Sequence, residues 1–257
     1  MDNTVLFNGG YRVLNGYVPF SDYWLVTGPL LDYLNAFFFK LLGVSWNSFI
    51  IHSSLVNLTL ALTSYFLFLN LKLNHLLALF YSIQISILFY PVVGTPFVDH
   101  HSTFFLILAF YSFIFAINNS NYNFFFLIPF FFLLSFLSKQ TPAVYGIISL
   151  FFLIIFSCFL DKENYKKILR NSIFGTIISL LILLLFFMFT DIKILNFFQQ
   201  YILFASSIGG DRLSLYKFHF IKEIDNYKFI YFFIFSLVLL SINYNIKKIS
   251  EKKIFLI

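Results

Sequence analysis

Charge is scarce in this sequence: only 11% of the 257 residues are Asp, Glu, Lys or Arg, where an ordinary soluble domain has about a quarter. So few charges cannot cover a globule with polar surface, which excludes a soluble globular protein. Hydrophobic residues make up 60% of the chain, Phe alone occurs 41 times, and the mean hydropathy is +0.86. The composition therefore predicts a protein whose main solvent is lipid.

Cysteine and the common nucleotide and metal motifs are also scarce. The one cysteine, Cys158, excludes a disulfide framework and is expected to be a small buried hydrophobe. P-loop, GxGxxG and HExxH motifs are absent from the sequence, so nucleotide-binding and zinc-protease chemistry have no support. The net charge of +6 comes from cations that lie mostly between apolar runs, where they indicate topology rather than a nucleic-acid partner.

Long apolar runs recur along the chain, and each needs about 20 residues to cross a bilayer. They predict an all-α, polytopic transmembrane bundle of about seven spans, near residues 47–70, 75–91, 98–118, 122–138, 142–160, 172–190 and 228–245. The shorter apolar run 28–43 carries Asp32 and Lys40, and is predicted to lie along the membrane interface.

We expect a single membrane domain over residues 1–257. Its parts are a first outer loop with juxtamembrane helices at 1–45, a transmembrane core at 46–190, an outer loop at 191–227, and a last span with a cytoplasmic tail at 228–257.

The positive charges predict the orientation of the bundle. Lysines and an arginine fill the segment 161–171, and four lysines follow the last span, so the positive-inside rule makes that side cytoplasmic. The first loop, the turns near Pro91 and Lys139, and the segment 191–227 then face outward. Enrichment in Phe, Ile, Lys, Asn and Tyr is typical of an AT-rich genome, so we expect the inner membrane of a bacterial cell.

The first outer loop holds the first candidate carboxylate. Asp2 is placed as the N-cap of a short amphipathic helix that stops at Asn15-Gly16 and precedes an extended segment. A functional carboxylate, a plain helix cap and a disordered terminus are all open for Asp2. Arg12 lies on the same helix.

Two further polar groups lie at the outer ends of spans. Asp99, His100 and His101 begin one span, where ionisable residues point to function; an N-cap with interfacial histidines is the alternative. Adjacent histidines point about 100° apart on a helix, so both binding one metal ion is disfavoured, and the need for a divalent metal stays open. Lys139, between two apolar runs, favours an anionic partner such as phosphate; snorkelling to the interface is the alternative.

The segment 191–227 mixes aromatic and polar residues without a motif. Sugar binding and ordinary solvation both fit such a composition. It identifies no site residue.

The first 45 residues carry an ordered set of short motifs: Asp2, Val13-Leu14-Asn15-Gly16, Pro19-Phe20-Ser21-Asp22, Gly28-Pro29 and Phe39-Lys40-Leu41-Leu42-Gly43. In this order they resemble the first outer loop of the GT-C class of membrane glycosyltransferases. The closest group is glycosyltransferase family 39, with the protein-mannosyltransferase and aminoarabinose-transferase-like enzymes. Asp99 matches the second acidic position of that family, and Lys139-Gln140 matches its turn after the fifth span.

The resemblance implies a glycosyltransferase that moves a sugar from a polyprenyl-phosphate-linked donor to a glycan, lipid or protein acceptor on the non-cytoplasmic face. It implies catalytic roles for Asp2 and Asp99. It implies substrate binding by a second set: Arg12, Asp22, His100, His101, Lys139 and Gln140. The family has a helix before its acidic residue and often a Glu where Asn3 stands here, so we expect a GT-C-like bundle that lacks the first helix.

Two other kinds of protein remain open. A non-enzymatic transporter or lipid-carrier flippase should carry charged groups or helix breaks near the middle of its spans. His52, Asn57 and Gln84 are the main polar residues there, and none of the three is formally charged, which favours surface chemistry over transport. The other alternative is an inactive fragment of a glycosyltransferase that only binds partners.

Overall fold

The computed structural model describes residues 2–90 and 94–215, and the single residues 225, 228, 231, 232 and 235; for Asp2 and 211–215 it describes the backbone only. In this part of the chain the regular structure is helical and contains no strand, which confirms the predicted all-α fold. The chain divides into two compact units, Met1–Phe204 and Ala205–Ile257.

Within the described residues the α-helices are α1 (Asp2–Leu14), α2 (Leu30–Leu42), α3 (Trp46–Asn70), α4 (His75–Phe89), α5 (Val98–Asn118), α6 (Leu127–Ser138), α7 (Gln140–Leu160), α8 (Tyr165–Thr190), α9 (Ile194–Phe197) and α10 (Ala205–Leu215). A 3₁₀ turn, Tyr122–Phe126, leads into α6, and a π-helix, Phe198–Phe204, follows α9. The helix α10 is the described start of the second unit.

Four of these helices are long and apolar enough to cross a membrane: α3, α5, α7 and α8. The protein is therefore a membrane protein. The helices α4 and α6, with its 3₁₀ turn, are shorter but also apolar. Together the six helices coincide with the first six predicted spans, while the seventh, 228–245, falls almost wholly outside the described residues. A total of about seven spans stays a prediction.

Short connections join successive helices of this bundle, so neighbours run in opposite directions. The side-chain oxygen of Ser45 accepts a hydrogen bond from the backbone N–H of Ser48 and caps the start of α3. Asn74 caps α4 in the same way through the N–H of Leu77. We call the end where α3, α5 and α7 begin the site end, because α1 and α2 also lie there.

Small and hydroxyl-bearing residues let the bundle helices approach one another. Gly146 on α7 meets Leu106 on α5, and a side chain at residue 146 would overlap it. Ser102 on α5 and Ser135 on α6 share a buried hydrogen bond of 2.9 Å. Since lipid gives little hydrophobic drive for helix association, close packing and such hydrogen bonds hold the helices together.

The first loop has the two predicted helices, α1 and α2, but the segment between them is not simply extended. The backbone N–H of Asp22 donates to the carbonyl of Val18 at 2.9 Å, and the Asp22 carboxylate accepts from the N–H of Val18 at 2.7 Å. Phe20, at φ 64°, stands in the middle of this turn. The carboxylate closes a turn because Asp bonds readily to nearby backbone.

Two segments predicted as loops are helical in part. The helix α8 begins at Tyr165 instead of 172, since no Gly or Pro interrupts 165–171 and the cations there remain exposed. The segment 191–227 is helical from Ile194 to Leu215 in its described part. Phe197 and Tyr201, four residues apart, are buried with Phe20, and this contact with the first loop is absent from the local sequence pattern.

Candidate active site at the site end

A cavity of about 450 Å³ lies between α1, α2, the first loop, the start of α5 and the turn between α6 and α7. We call it the site cavity. Its apolar wall is formed by Val5, Leu6, Trp24, Leu25, Phe97 and Val98. Its other lining residues are Asn8, Gly9, Arg12, Tyr23, Thr27, Asp32 and Lys139. A largely apolar cavity with a few polar groups is the usual form of a small-molecule site.

Asp32, in the first turn of α2, is the buried carboxyl of this cavity, with 2% of its surface exposed. Its Oδ2 atom accepts a hydrogen bond of 2.7 Å from the Tyr23 hydroxyl. On the other side Gly9 of α1 lies so close that any side chain there would overlap the carboxyl group. The motif Gly9-Gly10 therefore brings α1 against the acidic residue of α2.

Burial raises the pKa of Asp32 to about 7, although the hydrogen bond from Tyr23 and the charge of Arg12 both lower it. Desolvation dominates because the ionised form of a carboxyl loses its water. The same burial, with Asp32 beside it, raises the pKa of the Tyr23 hydroxyl. Asp32 can therefore exchange a proton close to neutral pH, whereas Tyr23 remains a hydrogen-bond donor.

Arg12 supplies one cation of the cavity. Its guanidinium lies over the Tyr23 ring, 5.1 Å from the centroid, a cation–π arrangement. Across the described residues Arg12 takes part in no ion pair. Its donors are therefore available to an anion that enters the cavity.

Lys139 supplies the second cation, and the structure pairs it with another predicted site residue. Its Nζ lies 2.7 Å from the carboxylate of Asp99, and the two side chains are 29% and 38% exposed. Lys139 stands in extended backbone between α6 and α7, while Asp99 lies in the first turn of α5. Residues 40 positions apart thus meet at the site end, with Lys139 lining the cavity.

Gln140 ties three segments together next to Lys139. Its side-chain amide donates to the carbonyl of Val26, at 3.1 Å, and to that of Tyr201, at 2.8 Å. Gln200 accepts from the N–H of Leu25 and donates to the carbonyl of Phe20. The structure uses these amides to anchor the first loop, and neither residue is among those that line the site cavity.

The two histidines of the predicted site face different surroundings. His100 packs its ring against Phe89, Tyr90 and Phe97. His101 is fully buried and lies in a chain of hydrogen bonds with Tyr90 and His52. Neither lines the site cavity.

That buried chain continues from His52 to Asn35 of α2, at 2.7 Å, and from Asn35 to the carbonyl of Leu6, at 3.2 Å. Only the amide nitrogen of Asn35 can face the Leu6 carbonyl, so its oxygen must face His52. His52 then donates from Nδ1 and accepts at Nε2 from His101, which in turn accepts from Tyr90. One set of neutral tautomers satisfies the whole chain.

A second cavity, of about 650 Å³, adjoins the first. It is lined by Asn8, Tyr11, Arg12, Asn15, Tyr17, Asp22 and Tyr23. The predicted site residue Asp22 lies here rather than in the site cavity. Asn8, Arg12 and Tyr23 line both cavities, so a molecule in either one would meet the same guanidinium.

Three predictions remain, and they concern Asp2, the segment 191–227 and a possible metal ion. α1 begins at Asp2, whose side chain is outside the described residues, as is most of the segment 216–227. No group of three or more His, Cys, Asp or Glu side chains that could hold a metal ion occurs among the described residues.

Sequence reasoning did not select Asp32 or Tyr23 as site residues. In the sequence, Asp32 served only as evidence that the apolar run 28–43 does not cross the membrane. An acidic residue inside an apolar interfacial run was the signal that could have found it, because such a group is costly to bury.

Comparisons with protein-family models, with curated proteins and with solved structures find no match to this chain.

Proposed function

We propose that the protein is a membrane glycosyltransferase that moves a sugar from a polyprenyl-phosphate-linked donor to an acceptor on the non-cytoplasmic face. The observation that carries this proposal is the site cavity, where a carboxyl able to exchange a proton lies near Arg12 and Lys139 beside an apolar wall. A phosphate with a hydrocarbon tail needs cations and apolar surface together. The order of motifs in the first loop supports the same proposal.

The two cations suit the leaving group of such a transfer. When the bond between the anomeric carbon and the phosphate oxygen breaks, negative charge develops on the phosphate, and fixed cations at that place lower the barrier. Arg12 has free donors for a phosphate, and Lys139 is held in place by Asp99. Asp99 then acts as a positioning residue for Lys139.

A carboxylate has to take the proton of the acceptor hydroxyl. The resemblance makes Asp2 one candidate for this role. The second cavity offers room for the acceptor on the other side of Arg12, and its tyrosines and amides suit polar molecules such as glycans.

Transport and lipid flipping are favoured less by the described residues. Among them Asp32 is the only buried carboxyl or cation, and it lies on α2, outside the candidate spans. The buried histidine chain lies at the site end, near the starts of α3 and α5. These positions support chemistry at a membrane surface, since a transport path should carry charged groups or helix breaks near mid-span.

The experiment is transfer of radiolabelled sugar from polyprenyl-phosphate donors by membranes that carry the full chain, with membranes lacking it as the control. We expect transfer to at least one lipid, glycan or peptide acceptor. Donors with several sugars have to be tried, and absence of transfer from all of them would contradict the proposal. Unchanged transfer in both Asp2→Asn and Asp99→Asn would remove the roles given to those two residues.

A further inference from the structure

We propose that Asp32, rather than Asp2, accepts the proton of the acceptor hydroxyl in the site cavity. This inference rests on the proposed function and names the proton acceptor of that reaction. The first argument is position. Among the carboxyl side chains that the structure describes, Asp32 is the one that lines the cavity, whereas Asp99 is occupied by Lys139 and Asp22 by the N–H of Val18.

The second argument is that the two carboxyl oxygens of Asp32 differ in their hydrogen bonds. Oδ2 of Asp32 holds the Tyr23 hydroxyl at 2.7 Å, which fixes the plane of the carboxyl group. Oδ1 has no hydrogen-bond partner among the described residues, and it is not one of the polar atoms there that are closed off without a partner. Because Asp32 lines the site cavity, this oxygen can accept a hydrogen bond from a molecule in that cavity. We infer that an acceptor hydroxyl binds to it in the loaded enzyme.

The third argument is charge. Tyr23, Tyr33, Arg12 and Lys139 are the titratable or charged groups that face Asp32 or share its cavity. None of them is acidic at neutral pH, so no second carboxylate competes for the proton. Burial holds the carboxyl near the point where it is half ionised at neutral pH, which is where a general base works best.

The step balances as a single displacement. The acceptor oxygen forms a bond to the anomeric carbon while its proton moves to Oδ1 of Asp32. The bond from the anomeric carbon to the phosphate oxygen breaks, and its electron pair stays on the phosphate beside Arg12 and Lys139. The proton later leaves Asp32 for water, which restores the carboxylate.

The first test compares Asp32→Asn with Asp191→Asn, both in the full chain. Asn keeps the size of Asp32 and an oxygen for Tyr23, so packing should survive while the base is lost. Asp191 is an exposed residue at the end of α8 with φ 54°, a conformation that Asn adopts readily. We expect kcat to fall by about 100-fold or more for Asp32→Asn, KM for the donor to stay within about threefold, and Asp191→Asn to match the wild type.

Transfer by Asp32→Asn within about tenfold of the wild-type kcat would overturn this inference and leave the proposed function intact. Absence of transfer by the wild type from every donor would instead remove the proposed function. The two failures are therefore distinguishable.

A second variant distinguishes a role of Asp32 in proton transfer from a purely structural role. In the wild type we expect kcat to rise with pH through about 7, because only the ionised carboxyl can accept a proton. Tyr23→Phe removes a hydrogen bond that stabilises the ionised form, so the pKa of Asp32 should rise and the midpoint of the profile should move to higher pH. An unchanged midpoint in Tyr23→Phe would overturn the assignment, since a residue that only supports packing would not move the profile.

Discussion

At the scale of single residues, the amide of Asn35 determines the direction of the buried hydrogen-bond chain through His52 and His101. It connects α1, α2 and α3, and its two ends are not interchangeable because Leu6 offers only an acceptor. Leucine is similar in size but has neither a donor nor an acceptor. The Nδ1–H of His52 would then be buried without a partner, and the carbonyl of Leu6 would keep only its bond within helix α1.

We therefore expect Asn35→Leu to destabilise the protein by about 1–3 kcal/mol, the cost of leaving one buried group without a partner. Thermal unfolding in detergent measures this as a lower Tm. Asn47→Leu is the matched control, because Asn47 is exposed on the first turn of α3. Equal Tm values for the two variants would contradict the role given to Asn35.

Lys139 matches a motif of the family that the sequence resembles, and the structure places it at the site. It pairs with Asp99 and lines the site cavity. Lys139→Ala removes a cation from the place where phosphate charge would develop. We expect kcat/KM for the polyprenyl-phosphate donor to fall by about 100-fold, in line with the loss of one oxyanion-stabilising group. Transfer assays measure it.

The control for this change is Lys193→Ala, an exposed lysine just before α9. It alters the net charge equally and should leave transfer unchanged. A similar loss in both variants would indicate a general charge effect instead of a role for Lys139 in the cavity.

At the scale of elements, the first loop is seated on the turn between α6 and α7. Gly28 donates its N–H to the carbonyl of Ser138 at 3.0 Å, and its Cα lies so close to Leu137 that a Cβ would overlap the Leu137 carbonyl. Backbone atoms cannot move aside as the end of a flexible side chain can. A larger residue at position 28 must lift the loop.

We expect Gly28→Ala to loosen residues 15–29 and to lower transfer, because the loop carries Tyr23 into the cavity. Limited proteolysis should cut the variant faster within this segment, where Tyr17 and Trp24 are exposed. Gly209→Ala is the control: Gly209 lies in α10 with open space around it, so Ala there should change neither measurement. Cleavage at the wild-type rate in Gly28→Ala would contradict the seating of the loop.

Much of this element structure could be predicted from the sequence. The end of α1 follows from Asn15-Gly16, and α2 from an apolar run too short to cross a bilayer. The helices from α3 to α8 follow from apolar length alone. The helical part of 191–215 could not be predicted from the local sequence. Its residues Phe197 and Tyr201 pack against Phe20, some 180 residues earlier in the chain.

The candidate site was predictable to a smaller degree. Lys139 and Asp99 stood out as charges beside apolar runs, but their ion pair depends on the packing of α5 against α6. Asp32 gains its raised pKa from burial under α1, which requires Gly9 opposite it. No local pattern contains that contact, so the burial of this first-loop carboxyl could not be found from the sequence.

At the scale of the whole molecule, the polar groups separate between the two ends of the bundle. The site cavity, the histidine chain and the pair of Lys139 with Asp99 lie at the site end. The opposite end carries the basic segment that begins α8, with exposed Lys162, Lys166, Lys167 and Arg170. The positive-inside rule predicts that the basic end is cytoplasmic and the site end faces outward.

The single cysteine makes this orientation directly measurable. In a Cys158→Ser background, Ser21→Cys places a thiol on the exposed turn at the site end, and Lys162→Cys places one at the basic end. A membrane-impermeant maleimide should label Ser21→Cys in right-side-out vesicles and Lys162→Cys in inside-out vesicles, because a charged reagent cannot cross the hydrocarbon. Cys158→Ser without a new cysteine is the control for background labelling. The reverse pattern would place the cavity in the cytoplasm, and a polyprenyl-phosphate donor presented on the outer face could then not reach Asp32.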